Sequence, residues 1–357
     1  MRRFISVGLA LLAAAPLTAQ SIASRVSQAA DGIVRVQLDS RAGVCGDGRD
    51  VIGYRQALFA RNFQSIGGRW SVERCVPGPL RVTLTVAHGQ VTEVRTQVGG
   101  AWPATGARVT DFGVVPPVEA SAYFFSLVPQ LERSTGRDRL LLPAVLADEA
   151  PVIQPLQAIA RDDARAHTTR QHAIQWLGLL GDTSARRVLH AIIEDDREAI
   201  RIRTHAIFSL AHGGDTPESE FAYLRTLYPR LAGLDLKESV IQGMHQDEGA
   251  GGRWLIELAL DAGEPLRLRK SALFWAGQRD ATPTAELVRA YREARERSLR
   301  EHGIFVLSQR KDETATAALL RIAREDNDTE MRGKALFWLA QKDDPRVRKL
   351  IADLVLR

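Results

Sequence analysis

Cysteine is almost absent from this chain: its 357 residues hold two, Cys45 and Cys75, and only three methionines. No Cys/His cluster surrounds either cysteine, and neither sits in a C-x-x-C pair. A redox couple or a partial metal site is therefore a weaker reading than a single disulfide closing a loop of about 30 residues. On the chain-entropy model such a loop is worth about 3–4 kcal/mol. Long apolar runs are also missing. Beyond the first residues no stretch approaches the roughly 18 apolar residues of a spanning helix, so no membrane span is expected in the mature chain. Clusters of one charge are lacking too. Lys/Arg and Asp/Glu number 48 and 43 and are interspersed, which is no nucleic-acid footprint.

Catalytic signatures are equally scarce. There is no HExxH, no GxSxG and no glycine-rich phosphate loop before a helix. The stretch CGDGRD (45–50) has two aspartates beside glycines. It lacks the further ligands and distal Glu of a calcium loop, and reads as a turn. Nothing calls for a cofactor or a metal, and no catalytic residue is assigned. The chain is expected to be non-catalytic.

What is present begins with compartment. Arg2 and Arg3 precede the short apolar run ISVGLALLAAAPL, and Leu17-Thr18-Ala19 places a small residue before a cut near Gln20. That is the order of a secretory signal peptide over 1–19; an N-terminal anchor or buried helix is the alternative. Export to the periplasm or secretion follows.

Two regions differ in period. Over 20–115 the pattern is extended. Leu80, Val82, Leu84 and Val86 alternate with Arg81, Thr83 and Thr85; His88-Gly89 marks a tight turn, and Val91–Val98 returns. This predicts a β-hairpin with one buried face, inside a small β-rich domain stapled by Cys45 and Cys75. From Pro116-Pro117 the period becomes helical, defining a second region over 116–357.

That second region is built from copies of one unit. The blocks TRQHAIQWLG (169–178), IRTHAIFSLA (202–211), LKESVIQGMH (236–245), LRKSALFWAG (268–277), LREHGIFVLS (299–308) and MRGKALFWLA (331–340) align. Their basic residues are Arg170, Arg203, Lys237, Arg269, Arg300 and Arg332. These recur at a step of roughly 32 residues, a period typical of repeat architectures. A degraded copy is read at Arg139–Ala147. Amphipathic second helices lie between the blocks, the last over 345–355. No single helix pair buries its apolar face alone, so neighbours must stack.

The aliphatic-Arg-small order at this step, entered from Asp-rich turns, resembles the HEAT-like repeats of bacteria, of the type in phycobilisome-lyase-like proteins. The resemblance covers roughly 117–357. It implies a mainly α fold: an α-solenoid of six to seven helical hairpins preceded by the small disulfide-stapled β-rich domain. It also implies an Arg–Asp ladder between repeats and a concave side lined by the first helices. Such repeats serve as scaffolds, adaptors and inhibitors, and a few are lyases.

A helical wheel of about 100° per residue, with the small residue at its origin, assigns the other positions. The basic residue falls at about 60°, inside the core-facing arc, where a cation must be paired; this supports its role in the ladder. The apolar pair after the small residue falls at about 100° and about 200° and is taken into the same arc. Leu273 and Phe274 are therefore expected to face the core. The tryptophan at plus three (Trp176, Trp275, Trp338) falls at about −60°, on the rim of the core; an aromatic binding platform is the alternative. As a core truncation, Trp275→Ala is expected to cost about 3–5 kcal/mol.

Two positions point outward, at about −100° and about −120°. They carry His172, His205, Ser271, His302 and Lys334, and His212 and Gln309. Together these form a polar stripe that would line a partner-binding groove, though each Gln could instead bond its own helix-end carbonyls. His205 and His212 are two turns apart, about 10 Å along the axis, too far to share one zinc. The expected function is that of an exported scaffold whose groove takes a protein or peptide. The rival is a lyase-like enzyme with a site between the β-rich domain and the groove, using His88, Asp47, Asp111 and the His172/His205 stripe.

Overall fold

The structure, a computed structural model, describes residues 20–54, 75–132, 140–213, 216, 218–247, 249–342 and 344–348. The expected signal peptide and most of the last second helix lie outside them. The chain is mostly helical with a small N-terminal sheet region, and it divides into two compact units, Met1–Ala150 and Pro151–Arg357.

In the first unit, strands β1 (Gly32–Leu38), β5 (Leu80–Ala87), β6 (Gln90–Val98) and β7 (Val109–Val114) form a sheet of order β6-β5-β1-β7. β1 runs antiparallel to β5 and parallel to β7. Period two sorts its faces: Val34, Val36 and Leu38 of β1 and Leu80, Val82, Leu84 and Val86 of β5 are all buried. Their neighbours Arg35, Gln37, Arg81 and Thr83 point the other way and stay half-buried. The hairpin turn falls at His88-Gly89, with φ of 53° and 71°. Positive φ at both positions is the primed turn that matches strand twist.

A smaller sheet of β2 (Val44–Gly46), β3 (Val51–Tyr54) and β4 (Val76–Pro77) has order β3-β2-β4. The disulfide Cys45–Cys75 joins β2 to the residue before β4.

The boundary expected at 115/116 lies inside the first unit. Helices α2 (Pro117–Ser126), α3 (Val128–Leu131) and α4 (Leu142–Val145) follow it there. Pro116-Pro117 does mark the change from strand to helix, but these helices are tied to strand and loop residues. Gln130 Nε2 donates to Val91 O at 2.6 Å, and Arg41 donates to the carbonyls of Val145 and Ala150. Helix α1 (Ile22–Ser27) joins them through Ile22 N, which donates to Glu119 Oε1 at 2.9 Å. The segment read as a degraded repeat contributes α4 and an isolated bridge from Ala147 to Ser40.

The second unit alternates first and second helices. The first helices are α6 (His167–Leu180), α8 (Ile200–Ala211), α10 (Leu234–Gly243), α12 (Leu266–Gly277), α14 (Arg297–Gln309) and α16 (Thr329–Leu339). The second helices are α5 (Ile153–Arg161), α7 (Thr183–Ile193), α9 (Glu218–Leu227), α11 (Gly251–Leu260), α13 (Thr284–Glu293) and α15 (Glu313–Glu325). Each first helix packs on the next first helix, from α6 on α8 through to α14 on α16. Each except α10 also packs on the second helix before it. Aspartate caps start α7, α15 and α16, where Asp182, Asp312 and Asp328 accept backbone N–H groups of the first turn.

The small residue of each block sits at the closest packing. Ala173, Ala206, Val240, Ala272, Gly303 and Ala335 are all buried, as are Leu177, Leu210, Met244, Ala276, Leu307 and Leu339 one turn on. One expectation is corrected. Phe208, Phe274 and Phe305, two residues after the small one, are only half-buried, and Phe337 is 60 % exposed. At about 200° this position is turned away from an arc centred at about 40°, so the ring leaves the core and lies across the face of the first helices.

Candidate functional site

The basic residue of each first helix turns inward, and the structure shows what receives it. Arg170, Arg203 and Arg269 are buried, and each donates Nε to the carbonyl ten residues earlier, at the end of the preceding second helix. Those carbonyls, of Ala160, Ile193 and Ala259, are the orphan acceptors every helix end leaves. The rest of each guanidinium meets carboxylates. Arg170 pairs with Asp163 and with Glu198, Arg269 with Glu296 at 2.6 Å, and Arg300 with Asp326 at 2.7 Å. Lys237 pairs with Glu264 at 3.1 Å and lies 4.7 Å from the Tyr228 ring. Asp163 belongs to Arg170's own repeat, but the other acids precede the next first helix, so each of these cations links two repeats. Arg203 departs: its carboxylate is Asp196 of its own repeat. Arg332 donates to Asp326 O and Thr329 Oγ1.

The expected polar stripe is less exposed than its angles suggested. His172, His205, His212, Ser271 and His302 are half-buried; Gln309 and Lys334 are exposed. Gln309 Nε2 donates to Ser308 Oγ at 3.1 Å, not to a helix-end carbonyl, and Lys334 approaches Glu301 at 3.8 Å. The histidines lie under their neighbours for a repeated reason. His205 bonds the backbone of Gln171, and His302 bonds that of Lys270. Gln171 and Lys270 occupy the same position, one repeat earlier in each case. In both histidines Nε2 is buried with no hydrogen-bond partner.

Burial holds the pKa of His205, His302, His212 and His245 below the usual imidazole value. His172 adds to this at His205, Lys270 at His302, His245 at His212 and Arg279 at His245.

What the sequence reading missed is the partner of these histidines: a run of aromatic rings. His245 lies 5.3 Å from Trp275, Trp275 lies 5.3 Å from Phe274, and Phe274 lies 6.5 Å from Phe305. Phe305 in turn meets His302 at 5.6 Å and Trp338 at 5.4 Å, and Trp338 meets Phe337. Toward the start of the unit Phe208 stacks on His212 at 4.0 Å. The signal was present in the blocks as the recurring Phe at plus two. Placing that residue in the core arc concealed it. The tryptophans divide: Trp176 is buried, whereas Trp275 and Trp338 are half-buried members of the run.

On the second-helix side, α13 and α15 enclose an open cleft of about 1060 Å³. At its floor Tyr291 donates to Asp326 at 2.6 Å, beside Arg300. In the first unit, His88 and Asp47 sit in turns and Asp111 lies in β7. His88 N donates to Asp31, Asp47 accepts from the Arg49 and Asp50 amides, and Asp111 accepts from Gly113 N. Among the described residues no helix is long and apolar enough to cross a membrane.

No family model and no curated protein matches the chain. Among solved structures it is similar to human deoxyhypusine hydroxylase in complex with glycerol, at 18 % identity over 67 % of this chain and 96 % of that one, with a TM-score of 0.32. The expectation of a non-catalytic chain is corrected by this finding: the protein with the similar structure is an enzyme. At that similarity neither a reaction nor any residue role carries over.

Proposed function

We propose that the second unit is a HEAT-like α-solenoid whose first-helix face binds a protein or peptide partner. In this reading residues 1–19 are a signal peptide and the mature chain works in the periplasm or is secreted. A lone disulfide in a chain with no other cysteine supports that compartment. The observation that carries the binding role is the run of half-buried and exposed rings from His245 to Phe337. Aromatic side chains offer large contact area at low entropic cost, and they dominate many interfaces. First helices spaced about 8–10 Å apart present one ring cluster per repeat. An extended peptide rises about 3.3 Å per residue, so every third side chain would meet a cluster. Exposed Gln309 and Lys334 supply a polar rim.

The test is affinity capture with the mature protein from the envelope fraction, followed by hydrogen-exchange mapping of the captured complex. Binding should protect α12, α14 and α16. The Phe274→Ala/Phe305→Ala variant should lose the partner with little change in unfolding temperature. Retention of every partner by that variant, or protection confined to the second helices, overturns the proposal.

A further inference from the structure

The outward face of the four-stranded sheet carries two arginines and an indole that the repeat reading does not use. Arg35 on β1 and Arg81 on β5 are diagonal neighbours: Arg35 stands opposite Thr83, and Gln37 opposite Arg81. Diagonal residues of an antiparallel pair lie about 7–8 Å apart on one face. Trp102 lies over both, with each guanidinium carbon 5.3 Å from its ring centroid.

The indole is held there by a dedicated brace. Gln97, 5 % exposed, donates its amide to the carbonyls of Gly48, Gly99 and Ala101, each at 3.0 Å. Gly99 and Gly100, at φ of 59° and 70°, let the chain turn back over the sheet just before Trp102.

The two charges are not answered within the described residues. Arg35 Nη2 donates to Pro103 O and Arg81 Nε to Gln37 Oε1, both neutral acceptors. Neither arginine forms an ion pair there, in contrast to the ladder arginines. Arg35 Nε is buried with no hydrogen-bond partner. Nearby acids are engaged elsewhere: Asp111, opposite Arg35 on β7, turns Oδ1 to Gly113 N, and Glu93 pairs with Arg95. Two guanidinium forks with unused donors, pre-oriented by an indole and lacking a counter-ion, make a receptor for an oxyanion.

We propose that Arg35, Arg81 and Trp102 form a binding site for a phosphate-type group. A phosphate monoester carries close to two negative charges at neutral pH and matches both arginines, whereas a carboxylate answers only one. Its oxygens would accept from the Nη groups of Arg35 and Arg81 that no internal hydrogen bond uses, while the indole keeps water from the forks.

Calorimetric titration of the full chain with inorganic phosphate at low ionic strength is the test, with acetate as the singly charged arm. Phosphate should bind and acetate should not at the same concentration. Arg35→Gln and Arg81→Gln should each weaken phosphate at least tenfold, and Asp111→Asn should tighten it. Chemical-shift change at the Trp102 indole N–H during the wild-type titration keeps the test open should a variant fail to fold. Parallel titrations with a sugar phosphate and with vesicles containing phosphatidic acid distinguish a soluble source from a lipid headgroup. Dependence on both arginines in either arm supports the site. Absence of phosphate binding, equal affinity for acetate, or affinity unchanged in both Gln variants overturns it.

Discussion

Arg203 pairs with Asp196, a residue of its own repeat whose side chain is 91 % exposed. Arg170, at the same position one repeat earlier, reaches forward to Glu198, whose side chain is 11 % exposed. The difference originates in the turn before α10. It reads Arg230-Leu231-Ala232-Gly233, where the corresponding turns elsewhere supply Glu198, Glu264, Glu296 or Asp326. The ladder therefore has one rung without a forward acid, between α8 and α10.

This gives a prediction about coupling. An ion pair with one solvated partner is worth about 0–1 kcal/mol, so Asp196→Ala should be nearly silent in urea unfolding. Arg203→Ala should still cost about 1–3 kcal/mol, because it strands the Ile193 carbonyl. The Arg170–Glu198 double-mutant cycle should return a larger coupling energy than the Arg203–Asp196 cycle. Equal couplings would remove the distinction between closed and open rungs.

The tryptophans should no longer behave alike. Trp176, 6 % exposed, is the core member, and Trp176→Ala should cost about 3–5 kcal/mol. Trp275 and Trp338 keep part of their surface in solvent, so each alanine variant should cost clearly less than Trp176→Ala. Chemical denaturation of the three variants side by side checks the order.

The buried histidines set a pH dependence. Their folded pKa values are lowered by burial, so in the unfolded chain they bind protons more readily. Stability from this source is fully present above the unfolded value of about 6.5 and declines as pH falls below it. Asp312, Asp326 and Asp344 have folded values held below the ordinary carboxylate range, Asp344 at about 2. Their contribution is lost only in more acidic solution. The midpoint of thermal unfolding should thus fall between about pH 7 and about pH 5.5, and His205→Gln/His302→Gln should flatten that slope. A slope unchanged in the double variant would assign it to other groups.

The disulfide should act on the first unit alone. Non-reducing peptide mass spectrometry should recover Cys45 joined to Cys75. Reduction, or Cys45→Ala/Cys75→Ala, should destabilise that unit by about 3–4 kcal/mol and leave the aromatic environment of the second unit unchanged by near-ultraviolet circular dichroism.

Much of this was legible in residue order because it depends on short-range periodicity. The alternation from Leu80 to Val86 marks a half-buried strand, His88-Gly89 marks its turn, and the even spacing of the Arg-bearing blocks marks copies of one helical hairpin. Those signals are local: they follow from the two-residue repeat of the pleat and the 3.6-residue repeat of the helix. The pairing of Cys45 with Cys75 needed only the absence of any other cysteine.

Tertiary structure decided what depends on neighbours. A helical wheel gives Phe274 a direction but cannot say that the next helix leaves that side open, so the ring run from His245 to Phe337 emerges only when helices stack. His205 and His302 look like surface residues by angle; a carbonyl of the preceding repeat draws each one under. Arg170 and Arg203 are the same letter in the same register, and only the reach to an acid in the turn ahead separates them. Trp102 reads as an isolated aromatic in a loop until the Gln97 amide folds that loop over Arg35 and Arg81. In each case the missing quantity is a contact between residues distant in sequence, which periodicity does not encode.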